Sequence, residues 1–284
     1  MKKSIKISLA WAFGVVTAAF TFVPESFFGI VKWISEETLA SAAPLQRTVS
    51  EINIIISRVI VFLLVWAISL IIYLLFQKYR RSVDIKGNNY TIRVEYGNLF
   101  EAENCKRVIS FDECFSTNVG DGPGDIKKTS ICGQYLTLNP GIDIQKLIKA
   151  AKLKPTEKKS EFEQRPRYQS GSIVPNGDDL LMAFAPLDES GRGVFSSRDE
   201  YIACLSKLWR EIDKHYGQKD VCIPLLGAGL TRFDSASGAS YSAQELLDII
   251  IQSYKLSSNR IKLPYKLRIV CKRSDDLSIS QIVA

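Results

Sequence analysis

The residues best placed to do chemistry lie in one stretch, Val221-Cys222-Ile223-Pro224-Leu225-Leu226-Gly227-Ala228-Gly229-Leu230-Thr231-Arg232. Its first half is a short apolar run of the kind that forms a buried strand. The run breaks at Gly227 and Gly229, which admit positive φ and let a ligand come close to backbone amides. After a polar spacer, Ser242 and Glu245 form a candidate capping box for a helix carrying Leu246-Leu247-Asp248-Ile249-Ile250-Ile251. Strand, glycine loop and helix is the layout in which loop amides converge on a phosphate. A tight βα turn with no ligand has the same layout, and a short Gly-x-Gly loop does not choose between them. Arg232 either adds charge-assisted contacts to an anion or is a plain surface arginine.

Other reactive groups are sparse. Asp112 and Glu113 are adjacent carboxylates following an apolar strand at Arg107–Phe111. Neighbours on an extended segment point to opposite sides, so binding by one of them is favoured over paired acid–base work. Phe115 is either a stacking surface or a core residue. The single histidine, His215, closes an amphipathic helix, where a surface role is expected. Six cysteines, at 105, 114, 132, 204, 222 and 271, form no Cys-x-x-Cys pair, so no zinc site is expected. Their apolar settings suit buried thiols in a reducing compartment. The chain lacks an ATPase P-loop, a Gly-x-Gly-x-x-Gly fingerprint and a Gly-x-Ser-x-Gly elbow.

The elements that must position these groups alternate between strands and helices from Asp84 onward. Tyr90–Tyr96, Arg107–Phe111, Leu180–Pro186, Val221–Leu226 and Lys266–Cys271 read as strands. Ile144–Leu153 and Arg198–Tyr216 read as helices, the second capped by Ser197 with Glu200 and apolar on one face at Tyr201, Cys204, Leu205, Leu208, Trp209 and Ile212. Ser82–Asn89 reads as a polar connector and Lys154–Gly171 as a mobile excursion. Such alternation argues for a three-layer α/β domain. In that class ligands collect at the carboxyl ends of the strands, which here carry the loops 97–100, 112–134, 186–197 and 226–232.

The first 83 residues differ in kind. Ile7 to Val23 is a continuous apolar or small-residue run, and Ile52 to Phe76 is longer and more apolar. Both are read as transmembrane helices, about 7–23 and 52–76. The first also satisfies part of a signal-peptide pattern. Basic residues flank both outer ends, which places the N-terminus and the segment after Phe76 in the cytoplasm of a protein of the plasma or inner membrane. Arg58, about two turns into the second run, either snorkels to the interface or makes a polar contact between helices in an oligomer. This part has 9 basic and 4 acidic residues, against 28 and 26 from Asp84 onward. The excess of positive charge thus flanks the apolar runs, and no nucleic-acid face is expected.

Four segments carry a resemblance to a known family: Gly97-Asn98-Leu99-Phe100; Val108-Ile109-Ser110-Phe111-Asp112-Glu113-Cys114-Phe115; Ser130-Ile131-Cys132-Gly133-Gln134; and Pro224 to Arg232. In their order they look like a macro domain. With two apolar helices in front, the chain resembles the membrane-anchored macro effectors of Thoeris antiphage defence. The resemblance implies a three-layer macro-like fold with a mixed sheet over 84–284, preceded by the two membrane helices in 1–83. It also implies a ligand derived from ADP-ribose, in this branch a histidine conjugate made by a partner TIR-domain enzyme, with no separate cofactor.

On binding, such effectors are expected to self-associate and damage the bilayer, so that the infected cell dies. By position, Asn98 and Leu99 are expected near the adenine. Asp112, Glu113, Phe115 and Thr117 are expected on the distal-ribose side, Leu226, Gly227, Ala228, Gly229, Leu230, Thr231 and Arg232 at the diphosphate, and Ser130 and Gly133 are further expected ligand-binding residues. The Asn-Ala-Ala-Asn and triple-glycine patterns of ADP-ribosyl hydrolases are missing, so a non-catalytic sensor is expected. The alternatives are a membrane-tethered ADP-ribosyl hydrolase and a non-catalytic membrane protein whose α/β domain binds a protein partner.

Overall fold

The computed structural model describes residues 2–28, 30–33, 49–122, 124–233, 241–274, 276–279 and 282. Two compact units divide at Arg80–Arg81.

In the first unit, helix α1 (Lys2–Phe22) is followed by one short turn of helix, α2 (Glu25–Phe28), and by α3 (Val49–Tyr79). Among the described residues one stretch is long and apolar enough to cross a membrane, Glu51–Phe76 within α3. The apolar part of α1, Leu9–Phe22, is shorter. Its 14 residues make about 21 Å of helix at 1.5 Å per residue, against a hydrocarbon core of about 30 Å. One candidate span therefore stands where the sequence suggested two. Ala12 and Val16 of α1 are buried. Near the start of α3, Asn53 Oδ1 accepts the Trp33 amide at 3.0 Å and Ser57 Oγ accepts the Trp33 indole N–H at 3.0 Å. Arg58 has aromatic neighbours within the unit. Its guanidinium lies over the rings of Phe20 and Phe28, 5.6 and 5.5 Å from their centroids, a cation–π pairing inside the unit.

The second unit is built on a seven-stranded sheet. Its strands are β1 (Ser82–Gly87), β2 (Tyr90–Tyr96), β3 (Cys105–Asp112), β4 (Ile173–Asn176), β5 (Asp179–Ala185), β7 (Asp220–Pro224) and β9 (Leu267–Cys271). They run in the order β1-β2-β9-β7-β3-β5-β4. The five inner strands are parallel, and β1 and β4 close the edges antiparallel. The mixed sheet is as expected, but two strands were not. Ser82–Gly87 is an edge strand and no connector, and its Val83 and Ile85 are buried against the sheet. A two-stranded parallel pair joins β6 (Val194–Phe195) to β8 (Arg232–Phe233).

Alternation along the strands sorts side chains to two cores. On one face Val108, Leu180, Met182, Ile223, Leu267 and Ile269 pack with α6 (Arg198–His215) and α7 (Ala243–Leu256). On the other, Ile109, Phe111, Leu181, Ala183, Cys222 and Val270 pack with α4 (Ile131–Leu138) and α5 (Ile144–Ala150). Helix, sheet, helix is the three-layer arrangement.

The start of α7 is a full capping box between Ser242 and Glu245. At α6 the box is only half made: Ser197 Oγ accepts the Glu200 amide, but the Glu200 carboxylate turns to the amide and hydroxyl of Ser196.

The helix layer on the first face is pinned through Tyr254. Its ring meets Trp209 edge-on at 5.0 Å, and its hydroxyl oxygen accepts the buried Ile261 amide at 2.8 Å. Tyr254→Phe leaves that amide without its acceptor, and we expect the 81–284 unit to lose about 1–3 kcal/mol. A shift of the urea midpoint at unchanged slope will show it.

Candidate ligand-binding site

The parallel strands β2, β9, β7, β3 and β5 end at Tyr96, Cys271, Pro224, Asp112 and Ala185 along one edge of the sheet. The loops that follow them surround any ligand bound there.

The glycine turn after β7 is anchored at both ends. The Ala228 amide donates to Leu225 O at 3.3 Å. Leu226 is buried, and its carbonyl accepts the Tyr201 hydroxyl at 2.9 Å. Gly227 holds φ +87, and a Cβ there would stand 3.0 Å from the Phe233 ring. That ring belongs to an aromatic floor, stacked on Phe195 and edge-on to Tyr201 and Tyr241. At the far end Arg232 enters β8 and its amide donates to Gly193 O at 2.9 Å. Between these anchors the tip is open. Leu230 is 69% exposed and nothing lies within 4 Å of a Cβ at Gly229. Among the described residues the amides of Gly227, Gly229, Leu230 and Thr231 donate to no protein acceptor. A rigidly held turn with free amides is the arrangement that binds an anion.

The turn after β3 is closed by its own side chains. Asp112 Oδ1 accepts the amides of Cys114 at 2.8 Å and Ser116 at 3.1 Å, while its carbonyl accepts the Phe115 amide. This closure holds Phe115 at φ +52, an uncommon conformation for a bulky residue. The Phe115 ring is buried against Phe111 and Tyr168. Glu113 is buried too. Its Oε2 meets Arg167 Nη1 at 3.3 Å and its Oε1 accepts the Leu187 amide at 3.3 Å. Both carboxylates expected on a ribose are thus engaged in shaping the loop. The Ser116 hydroxyl is buried with no partner among the described residues, and Thr117 is exposed.

The remaining expected residues divide similarly. Asn98 folds its amide oxygen back on the Phe100 amide and its amide nitrogen toward Glu101, capping a short 3-10 turn, and Leu99 is core. Ser130 caps α4 through the Gly133 amide at 3.0 Å. A Cβ on Gly133 would strike Lys127 O, so this glycine permits close packing of the loop on the helix. Segment 154–171, expected to be a mobile excursion, is tied down. Thr156 and Ser160 amides donate to Arg167 O and Arg165 O, and the Tyr168 amide donates to Glu113 O at 2.8 Å.

The loops 113–130 and 186–193 already touch: a Cβ on Gly191 would lie 2.5 Å from Gly124 Cα, with Phe162 over both. In the second loop Asp188 Oδ1 accepts the amides of Ser190 and Arg192 and the Ser190 hydroxyl. Burial acts to raise the Asp188 pKa, but the bonds from Arg192 and Ser190 outweigh it and hold the carboxyl below its ordinary value.

Beside the β3 turn lies an open cleft of about 400 Å³. Phe115, Thr117, Asp143, Ile144, Gln145 and Arg165 are among its walls. Three of these, Asp143, Gln145 and Arg165, were not picked out from the sequence. They carry no motif and come together only because α5 and segment 154–171 pack on the same turn.

All six thiols are free and buried. Burial pushes Cys114 up to about 11 and Cys271 up to about 12, opposite to the depression a thiolate nucleophile needs. Cys222 Sγ lies 2.9 Å from Cys105 Sγ across β7 and β3. Among the described residues no cluster of metal-binding side chains occurs. His215 sits in the last turn of α6, 3.8 Å from Glu211 and remote from the strand ends in the chain's topology.

The sequence profile of the family described as "Thoeris protein ThsA, Macro domain" matches residues 92–272. A curated relative, "Thoeris protein ThsA" of Bacillus amyloliquefaciens (strain Y2), is 31% identical over 239 residues, covering 78% of this chain and 77% of that protein. Among solved structures, an Oceanobacillus iheyensis macrodomain mutant with ADPR aligns over 70% of this chain and 95% of its own at 13% identity and a TM-score of 0.45. Thermosipho africanus DarTG in complex with ADP-ribose aligns over 71% of this chain and 47% of its own at 15% identity and a TM-score of 0.38.

Two expectations follow from the loops. Asp112→Ala removes the acceptor of two amides and should destabilise the unit by about 1–3 kcal/mol, whereas Asp112→Asn keeps an oxygen there and should lose less than half of that. Comparing the two thermal midpoints checks it. For Asp188 the lowered pKa means a stabilisation of the folded loop that is complete at neutral pH and lost as pH falls through the lowered value. The amide resonances of Ser190 and Arg192 should titrate with a midpoint below that of a free aspartate.

Proposed function

The chain belongs to the macro-domain family of the Thoeris protein ThsA, and from that premise we propose that it is a membrane-anchored sensor of an ADP-ribose-derived signal in antiphage defence. The observation that carries the reading is the anchored turn Leu226–Arg232, at the carboxyl edge of the sheet, whose middle amides have no acceptor among the described residues. A diphosphate is the group such a turn suits. The signal is made from NAD by a partner TIR-domain enzyme, and the histidine conjugate of ADP-ribose is the candidate that the resemblance points to.

The reading is of a sensor and not a hydrolase. In its support, Asp112 Oδ1 holds the Cys114 and Ser116 amides, and Glu113 is held by Arg167 and the Leu187 amide. The output is at the bilayer. Helix α3 presents Val59, Leu63, Leu64, Ile68, Ile71 and Ile72 to its surroundings, an apolar surface that is expected to face lipid. Helix α1 packs on α3 within the same unit and is proposed to enter the membrane with it, N-terminus and ligand domain both cytoplasmic by the positive-inside rule. Ligand-driven association of the cytoplasmic units raises the local concentration of these helix pairs, and their small and polar residues pack together and damage the bilayer.

Titration of the full chain in nanodiscs with ADP-ribose and with its histidine conjugate tests the reading. We expect binding of the conjugate, loss of at least tenfold in affinity for Gly227→Ala, and a larger assembly at saturating ligand by mass photometry. Ligand turnover at a constant rate would favour the hydrolase instead, and binding of neither compound would remove the sensor reading.

A further inference from the structure

Strands β3 and β7 are joined over a short distance only. β3 pairs with β5 from Arg107 to Asp112, but with β7 only at Cys105, Lys106 and Arg107, which face Asp220, Val221 and Cys222. Beyond that step no residue of β3 is paired with β7 among the described residues. The two strands then run on to the Asp112 turn and to the glycine turn. The short ladder is thus the root from which both turns extend.

Two thiols meet at this root. Cys105 opens β3 opposite Asp220, and Cys222 lies opposite Arg107. Both side chains enter the same core, on the face covered by α4 and α5. Their sulfurs are 2.9 Å apart, although 117 positions separate them along the chain. A disulfide bond is about 2.0 Å long, so the sulfurs need to close by about 1 Å.

The surrounding charges favour a reaction here. The register places Arg107 and Arg268 on either side of Cys222 across the sheet. Each guanidinium is held by a carboxylate, Arg107 on Asp179 at 2.8 Å and Arg268 on Glu95 at 2.6 Å. The Cys222 thiol donates to the Cys105 sulfur. That bond, aided by Arg268 and Arg107, holds Cys105 below the ordinary thiol value against the opposing effect of burial. The same bond, with burial, pushes Cys222 up. Burial raises each of the other four thiols. Cys105 is therefore the one of the six thiols whose setting suits a nucleophilic thiolate, and Cys222 is its protonated neighbour. Cys105 is itself buried, but Glu103 and Asn104 immediately before it are exposed. Its sulfur thus lies beside a surface loop, within reach of a small oxidant.

We propose that Cys105 and Cys222 are an oxidisable dithiol, which hydrogen peroxide converts to a disulfide that ties β3 to β7 at the root of the strand-end site. The Cys105 thiolate attacks one peroxide oxygen, and the O–O bond breaks. Cys105 becomes a sulfenic acid, and the departing hydroxide takes up the proton that Cys105 had lost, leaving as water. The Cys222 sulfur then attacks the Cys105 sulfur. The S–O bond breaks, and the displaced hydroxyl leaves with the Cys222 proton as a second water. The two thiols together lose two electrons and two protons, and one peroxide becomes two waters. A dithiol reductant reverses the bond by exchange, and in a reducing compartment such a bond is transient. The proposal is independent of the nucleotide reading above, since neither cysteine is a ligand contact in it.

The test is peptide mapping by mass spectrometry of the full chain in nanodiscs, treated with hydrogen peroxide while folded and then denatured and alkylated. We expect a peptide cross-linked through Cys105 and Cys222 as the first oxidation product, lost again on treatment with dithiothreitol. Cys114, Cys132, Cys204 and Cys271 should still be alkylated. Cys222→Ala should replace the disulfide by a sulfenic acid at Cys105 that dimedone traps. Cys105→Ala should slow oxidation of Cys222 by about tenfold or more, because the remaining thiol is protonated. Circular dichroism checks that each variant is folded, and where one is not, the wild-type map decides by itself. First oxidation at any other cysteine overturns the proposal. So does a folded chain in which Cys105 and Cys222 stay reduced at peroxide concentrations that oxidise the denatured chain.

Discussion

A carboxylate taken out of water must be met by donors, and the pairing of Glu113 is what the loops of this domain depend on. Its side chain is buried at the carboxyl end of β3. One oxygen holds the Leu187 amide and the other holds Arg167. Its backbone is engaged as well, with the amide on Ala185 O and the carbonyl accepting the Tyr168 amide. Four bonds from one residue therefore tie the β3 turn to the end of β5 and to segment 165–168. Removal of the carboxylate would free three loops at once, because Arg167 and the Leu187 amide would lose their shared acceptor.

That tie explains why the edge of the sheet is both ordered and open. The turns around it are closed on themselves by short polar side chains, Asp112 over Cys114 and Ser116, and Asp188 over Ser190 and Arg192. Close glycine contacts then let loops pack without side chains between them, as at Gly124 and Gly191. The turn after β7 is built the other way. Its ends are anchored by Tyr201 and by the β6–β8 pair, and its middle amides donate to no acceptor among the described residues. Rigid supports with a few outward donors are how a site limits the ordering cost of binding. The glycine-bearing turns after β5 and β7 differ in their hydrogen bonding: Asp188 fills the first, and the middle amides of the second have no acceptor among the described residues.

The first unit follows a different pattern. In α3 the apolar residues run around the whole helix, which suits lipid and not water. Polar groups appear at its N-terminal end, where Asn53 and Ser57 meet Trp33, and Arg58 meets two phenylalanine rings. These contacts tie the chain between the helices to α3 and give the cation a partner within the protein.

Local pattern was enough to determine several parts of this protein from its sequence. The α7 capping box, the apolar face of α6, the strand and glycine turn at Val221–Arg232 and the long apolar run of α3 all depend on residues within a few positions of one another, where backbone geometry sets the spacing. The tertiary structure decided what depends on distant partners. It made β1 and β4 edge strands, since an edge is defined by its neighbour and not by its own composition. It gave Asp112 and Glu113 loop-supporting hydrogen bonds, and the donors that engage Glu113 lie more than fifty residues away along the chain. It also assembled Asp143, Gln145 and Arg165 around Phe115, a grouping that no spacing encodes. Whether a polar side chain is available for chemistry is settled by what else reaches it in the folded chain, and a linear pattern carries no record of that.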